Sequence, residues 1–254
     1  MSCVYCGQTA PLTREHIWPK CLHDAGDYSL KYHSKPDKVL PSEHVIKDVC
    51  SKCNNGPLSE LDSYAKSLHQ RYFNKDYQSV KKGIFRYDFE KLSKLLLKIS
   101  YDSARAAGSP DSGLLSLYAP CIIASGCSPV FSAFTISLMG QLIKIDRKSR
   151  SIQTSELRWC RSGPVALLAS EAEIVTARVI IINTWCFRLI VMKNGVLRAG
   201  DESIVMPQIQ GAIIRPDSTP LKVPTIPLDS RGILKHYRDK ESLYPRAVHG
   251  PASK

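Results

Sequence analysis

Two short cysteine pairs lie near the start of the chain: Cys3 and Cys6 in SCVYCG, and Cys50 and Cys53 in VCSKCNNG. A CxxC segment presents two sulfurs from one tight turn. Two such turns complete the tetrahedral thiolate shell of zinc, at about 2.3 Å per Zn–S bond. Four protein ligands leave the ion no open position, so a zinc held here is structural and any chemistry belongs to residues that it fixes in place. Residues of another kind accompany the pairs. Glu15 and His16 are adjacent in LTREHIWPKCL, on the connection between the pairs, and Asn54 follows the fourth cysteine directly.

Taken together, Cys3, Cys6, Glu15, His16, Cys50, Cys53 and Asn54 resemble the HNH (ββα-metal) endonucleases built on a zinc-bound treble clef. Within that family the pattern is most similar to the endonuclease VII branch. There a first CxxC is followed by an acid–His pair, and a second CxxC runs into Asn and a helix. The resemblance covers about the first quarter of the chain. It implies a nuclease that hydrolyses phosphodiesters with one divalent metal and one base. The base maps to His16, which takes a proton from the water that attacks phosphorus. Imidazole titrates near about 6.5, so the neutral base is available at cellular pH. The metal, Mg2+ or Mn2+, grips the scissile phosphate and stabilises the leaving 3′ oxygen. Its protein ligands map to Glu15 and Asn54, which leave positions for water and phosphate.

The chain departs from that pattern twice. Its acid is Glu15 where Asp is usual, which carries the carboxylate one methylene further out, roughly 1.5 Å. Many HNH proteins have a further His one turn along the helix; Leu58 stands there, and no His follows until His69. Asn55, Ser59, Glu60 and Asp62 are nearby candidates to ligate or support the metal, against the plainer reading of helix capping and surface.

The elements that must position these groups can be read in order. CVYCG is a knuckle hairpin with its turn at GQT, and Thr13 to Pro19 is extended, with Ile17 and Trp18 packing beneath the site. Residues 23–44 form a polar insertion between the halves of the motif. Within it Lys31, Tyr32, His33, Lys35 and Lys38 mix basic and aromatic character, and Lys31, Lys35 and Lys38 are candidate nucleic-acid contacts. HVIKDVC is the strand entering the second knuckle. Beyond it Pro57 suits a first helical turn, and Leu58, Leu61, Tyr64, Ala65 and Leu68 recur at helical spacing. Residues 88–108 predict a long helix, capped by Asp88, striped by Phe89, Leu92, Leu95, Leu96 and Ile99, and stopped by Gly108.

From about 119 the segments become short, β-branched and aromatic: VFSAFTISL, IVTARVIII and WCFRLIVM among them. Lys193-Asn194-Gly195 carries a type I′ hairpin signal. The expected fold class is α+β. A nuclease module with structural zinc spans 1–75, a linking helical segment 76–118, and a mostly antiparallel β-rich domain 119–215. A Pro-rich basic tail, expected to wrap loosely, spans 216–254.

Composition bounds the rest. The chain has 254 residues and is 43% hydrophobic, enough for a buried core rather than a disordered or fibrous chain. No apolar run reaches the roughly eighteen residues of a membrane span. No basic and apolar leader opens the sequence, so a cytoplasmic location is the default. Nine cysteines are an odd count, which argues against a secreted disulfide scaffold. Cys21, Cys121, Cys127, Cys160 and Cys186 then read as small buried thiols. The net charge of +12 is spread without a polybasic run and suits a polyanionic partner.

The expectation is a metal-dependent DNA endonuclease, of restriction, phage defence or recombination. The β-rich region is left to choose substrate, protein partner or homo-oligomer. Two alternatives stand beside it: an RNA-directed nuclease, and a zinc-structured module that binds nucleic acid or protein without cutting.

Overall fold

The computed structural model describes residues 1–22, 30–33, 38–41, 45–75, 83–126, 134–145, 152–154, 160–164, 174–192, 211–217 and 219–227. The first knuckle closes through a bridge between Ser2 and Thr9, and Gly7 turns at φ 71°. Strand β1 (Leu12–His16) follows, then the hairpin β2 (Leu30–His33) and β3 (Lys38–Pro41) inside the insertion, then β4 (Val45–Cys50). Strands β1 and β4 pair antiparallel, with Leu12 opposite Cys50 and His16 opposite Val45. The register slips between Thr13 and Glu15, an irregularity of the kind that re-aims side chains next to functional sites.

Helix α1 (Ser51–Cys53) starts at the end of β4, so Cys50 ends a strand and Cys53 sits in the first helical turn. The helix therefore begins several residues before the Pro57 start that the sequence suggested. A wide π-helical turn (Asn54–Leu58) carries the chain into α2 (Ser59–Leu68), with the backbone kinked at Gly56 (φ −100°, ψ −109°). A second π-turn (His69–Phe73) ends it. Leu58, Leu61, Ala65 and Leu68 are buried, as their spacing predicts.

Strand β5 (Ile84–Phe85) precedes α3 (Phe89–Ala106). The Asp88 carboxylate caps α3 by accepting from Lys91 N at 3.0 Å, and Gly108 ends it at φ 62°. Leu92, Leu95, Leu96 and Ile99 are fully buried. So are Lys98 and Asp102, two charged groups that residue type assigns to the surface. Two short helices follow, α4 (Ser112–Ser116) and α5 (Ala119–Ile123). Residues 119–123 are thus helical, Ala119-Pro120 opening one more helical turn, and the next strand among the described residues begins at Phe134.

The larger sheet contains β6 (Phe134–Ile145), β7 (Ile152–Thr154), β8 (Cys160–Pro164), β9 (Ile174–Ile182), β10 (Trp185–Met192) and β11 (Ala212–Ile213). Its order is β11-β6-β10-β9-β8, with these neighbours antiparallel and β7 also pairing β6 antiparallel. The β9–β10 turn falls at Asn183-Thr184, with Asn183 at φ 52°, a left-handed conformation that Asn tolerates. The Lys193-Asn194-Gly195 signal lies outside the described residues. Residues expected as loose tail form β12 (Leu221–Lys222) and β13 (Thr225–Pro227). The first pairs antiparallel with β5 and the second parallel with β6.

One hydrophobic cluster runs from Cys3 and Tyr5 through α2 and α3 to Trp185, Phe187 and Val223. Tyr72 and Phe73 pack against Phe85 and Trp185, with ring centroids 5.0–5.9 Å apart for Tyr72–Phe85, Tyr72–Trp185 and Phe73–Trp185. Asn183 donates its amide to Phe73 O at 2.9 Å, tying the β9–β10 turn to the end of the first helical run. Arg178, buried in β9, donates to Asp111 at 2.7 and 2.9 Å, which pairs a charge that would otherwise be costly in the core. Among the described residues no helix is long and apolar enough to cross a membrane.

Candidate functional site

Both knuckles converge at one corner of the β1–β4 pair. The ligand sulfurs of Cys3, Cys6, Cys50 and Cys53 all lie within 4.8 Å of one another, and Cys3, Cys50 and Cys53 are buried. Backbone geometry prepares the cluster for charge. Burial alone would push the Cys3 thiol up. Hydrogen bonds from the backbone at Cys50, Cys6 and Tyr5 outweigh that and bring it down to about 6. The Cys50 N–H donates to Cys3 Sγ at 3.3 Å. Cys53 is driven the other way, by burial and by the sulfurs crowding it. Four sulfurs so close share their charge well only around a cation, and the all-thiolate donor set fits Zn2+. Strand end and helix start supply the second pair rigidly, and Val4 N donates to Asp48 O at 3.1 Å to lock the first knuckle onto β4. Cys21, Cys121 and Cys160 are only half-buried and Cys186 is fully buried; Cys127 lies outside the described residues.

Asn54 reaches from the helix to the strand. Its side-chain amide donates to Thr13 Oγ1 at 2.8 Å and to Arg14 O at 2.9 Å. Thr13 passes the link on by donating to Val49 O at 2.9 Å. Both amide hydrogens are thereby used, which leaves Asn54 Oδ1 as the side chain's available ligand atom. The residue after the fourth cysteine thus meets the strand that carries His16. His16 is half-buried at the end of β1, while Ile17 and Trp18 are buried behind it.

Glu15 lies in a buried ion pair. Neighbouring strand residues face opposite ways, and Glu15 is turned inward, 3% exposed, with Oε1 2.7 Å from Lys98 Nζ. Lys98 also donates to the carbonyls of His16 and Ile17. Burial opposes the Lys98 charge, but Asp102, Glu15 and Asp62 together hold its pKa above the ordinary lysine value. Asp102 lies 3.8 Å from Lys98 Nζ, accepts from Tyr5 at 2.8 Å and stands 3.5 Å from Arg105. Burial lifts it to about 6, still below neutral pH, because Lys98, Tyr5 and Arg105 favour its charged form. Arg105 in turn donates to both oxygens of Asp48 at 2.5 and 2.7 Å and lies over the Tyr101 ring.

The other candidates separate by position. Asn55, Ser59 and Glu60 are exposed on the helical run. Asp62 is half-buried and faces the Lys98 group, and burial raises its pKa to about 6, with Lys98 opposing and Glu15 adding to the rise. Lys31 and Lys38 stand on β2 and β3, and Lys35 lies outside the described residues. Lys98 and Asp102 escaped the sequence reading. The only signal was a Lys and an Asp one turn apart beside the leucine stripe of α3, which reads as an exposed ion pair. No family model matches the chain, and neither a curated protein nor a solved structure matches it.

Proposed function

We propose that the chain is a metal-dependent DNA endonuclease of the HNH type, with its N-terminal part a zinc-bound treble clef. The observation that carries this reading is the pair of hydrogen bonds from Asn54 to Thr13 and Arg14, which brings the second knuckle's Asn onto the strand of His16. A zinc staple alone requires no such meeting. The antiparallel β1–β4 pair followed directly by a helix further supports a ββα arrangement. His16 is the general base: its imidazole accepts the proton of the attacking water. Ile17 and Trp18 back the strand end, and the carbonyl of His16 is anchored by Lys98, so the ring is carried by a rigid support. A divalent cation, Mg2+ or Mn2+, would offset charge on the phosphate, and Asn54 Oδ1 would be a ligand to it. The net charge of +12 suits a polyanionic substrate.

One observation favours a second reading, a zinc-structured nucleic-acid-binding module that does not cut: the carboxylate of Glu15 is engaged by Lys98. Purified protein incubated with plasmid DNA and with RNA, with and without Mg2+ or Mn2+, decides between them when His16→Ala is run alongside. Metal-dependent cutting of DNA that the variant loses supports the endonuclease. Cutting of RNA alone redirects it to an RNA nuclease, and binding without cutting leaves the module.

A further inference from the structure

We infer that Lys98, on α3 and 82 residues from His16, is the positioning residue of the site, and that Glu15 serves its clamp rather than ligating the divalent cation. The inference rests on the endonuclease reading above. One buried ammonium gathers three consecutive residues: it pairs with the Glu15 carboxylate and donates to the carbonyls of His16 and Ile17. Of the three N–H donors of lysine, the two carbonyls take hydrogen bonds while Glu15 supplies the opposite charge. The strand end that displays the His16 ring on one side is therefore fixed from the other side by a single charge. The ammonium is itself held from behind by Asp102, which Tyr5 of the first knuckle and Arg105 steady.

The same geometry disfavours Glu15 as a metal ligand. A cation bound at the usual 2.0–2.1 Å from Glu15 Oε1 would stand within about 5 Å of Lys98 Nζ. Two positive centres at that distance in a buried, weakly screened setting repel strongly. The longer reach of Glu, against the Asp usual in the pattern, carries its carboxylate into contact with α3. Asp62 adds negative charge that further favours the Lys98 ammonium.

The test compares wild type, Glu15→Gln, Lys98→Met, Lys98→Arg and the double variant Glu15→Gln/Lys98→Met. Plasmid cleavage gives kcat, KM for DNA and the Mn2+ concentration for half-activation. Mn2+ binding is read separately by electron paramagnetic resonance with a DNA oligonucleotide present, and zinc content by metal analysis. The clamp predicts a kcat lower by about 10- to 100-fold in each single variant, the usual cost of a misplaced reacting group. KM, Mn2+ half-activation, Mn2+ binding and zinc content should stay within about twofold of wild type. The double variant should be no slower than the singles, because the two residues act as one unit. Lys98→Arg keeps the buried charge, so it reports on geometry should Lys98→Met fail to fold. A Glu15→Gln variant that binds Mn2+ at least tenfold more weakly, or that excess Mn2+ restores, makes Glu15 a ligand and overturns the assignment. Wild-type kcat in Lys98→Met or Lys98→Arg overturns the positioning role alone. A wild type that cuts neither DNA nor RNA overturns the nuclease reading itself.

Discussion

The Tyr5 hydroxyl, between the two cysteines of the first knuckle, donates to Asp102 Oδ1 on α3 across 2.8 Å and 97 residues of sequence. The four-cysteine corner and the central helix are thus joined by a buried polar bond, reinforced where the Tyr5 ring meets Tyr101 edge-on at 5.7 Å. Tyr5→Phe keeps the ring and removes the donor to a buried carboxylate. Its expected cost is about 1–3 kcal/mol in denaturant unfolding, with zinc content unchanged. An unchanged unfolding midpoint would mean that Asp102 finds a replacement donor in Lys98 or Arg105.

Zinc should be bound at one ion per chain by the four clustered cysteines. Cys3→Ser/Cys50→Ser takes one thiolate from each pair, and metal analysis should find the ion gone. Binding of structural zinc is itself folding free energy, so the variant, or wild type treated with a strong chelator, should lose order in the β1–β4 corner. Hydrogen exchange at Val4 and Val49 reads this directly. Zinc retained by the double variant would move the site elsewhere.

His16→Ala should leave zinc, fold and DNA binding in place, because the imidazole is not one of the clustered ligands. Cleavage should fall by roughly 10²–10⁴, the usual worth of a positioned base. The wild-type rate should decline as pH falls through the imidazole range, since imidazolium accepts no proton. Asn54→Ala should also lose cleavage but regain part of it in excess Mn2+, whereas His16→Ala should not. Equal rates in wild type and His16→Ala would remove His16 from the chemistry.

Asp62 gives a pH signature of its own. Burial raises its carboxyl from the ordinary 3.8 to about 6 in the folded protein. A raised acid contributes stability that is complete below about pH 4 and is lost as pH rises through 6. Asp62→Asn removes that loss. Between pH 5 and pH 8 the variant should therefore gain on the order of 1 kcal/mol relative to wild type in parallel denaturation series. Thiolate protonation at the zinc corner is common to both proteins and cancels in the difference. A difference that does not change with pH would show that Asp62 titrates as an ordinary exposed acid.

Local signals in the sequence decided the parts whose cause is local. The CxxC spacing draws Cys3, Cys6, Cys50 and Cys53 together because each pair is one turn, and the two turns need only meet once. The Asp88 cap, the leucine stripe of α3 and the stop at Gly108 depend on neighbours within a few residues, and all three stand where periodicity puts them. The tertiary structure decided what hangs on distant neighbours. Lys98 and Asp102 lie beside the apolar stripe and by residue type belong in water. They are buried because Glu15, Tyr5 and Arg105 arrive from other segments to satisfy them. The same holds at residues 221–227, where a proline-rich run that lacks any strand pattern is extended because β5 and β6 offer it backbone partners. For Glu15 the sequence supplied an acid beside a histidine. The lysine that this carboxylate pairs with stands 83 residues further on, since electrostatic partners at that range follow from packing and leave no trace in spacing.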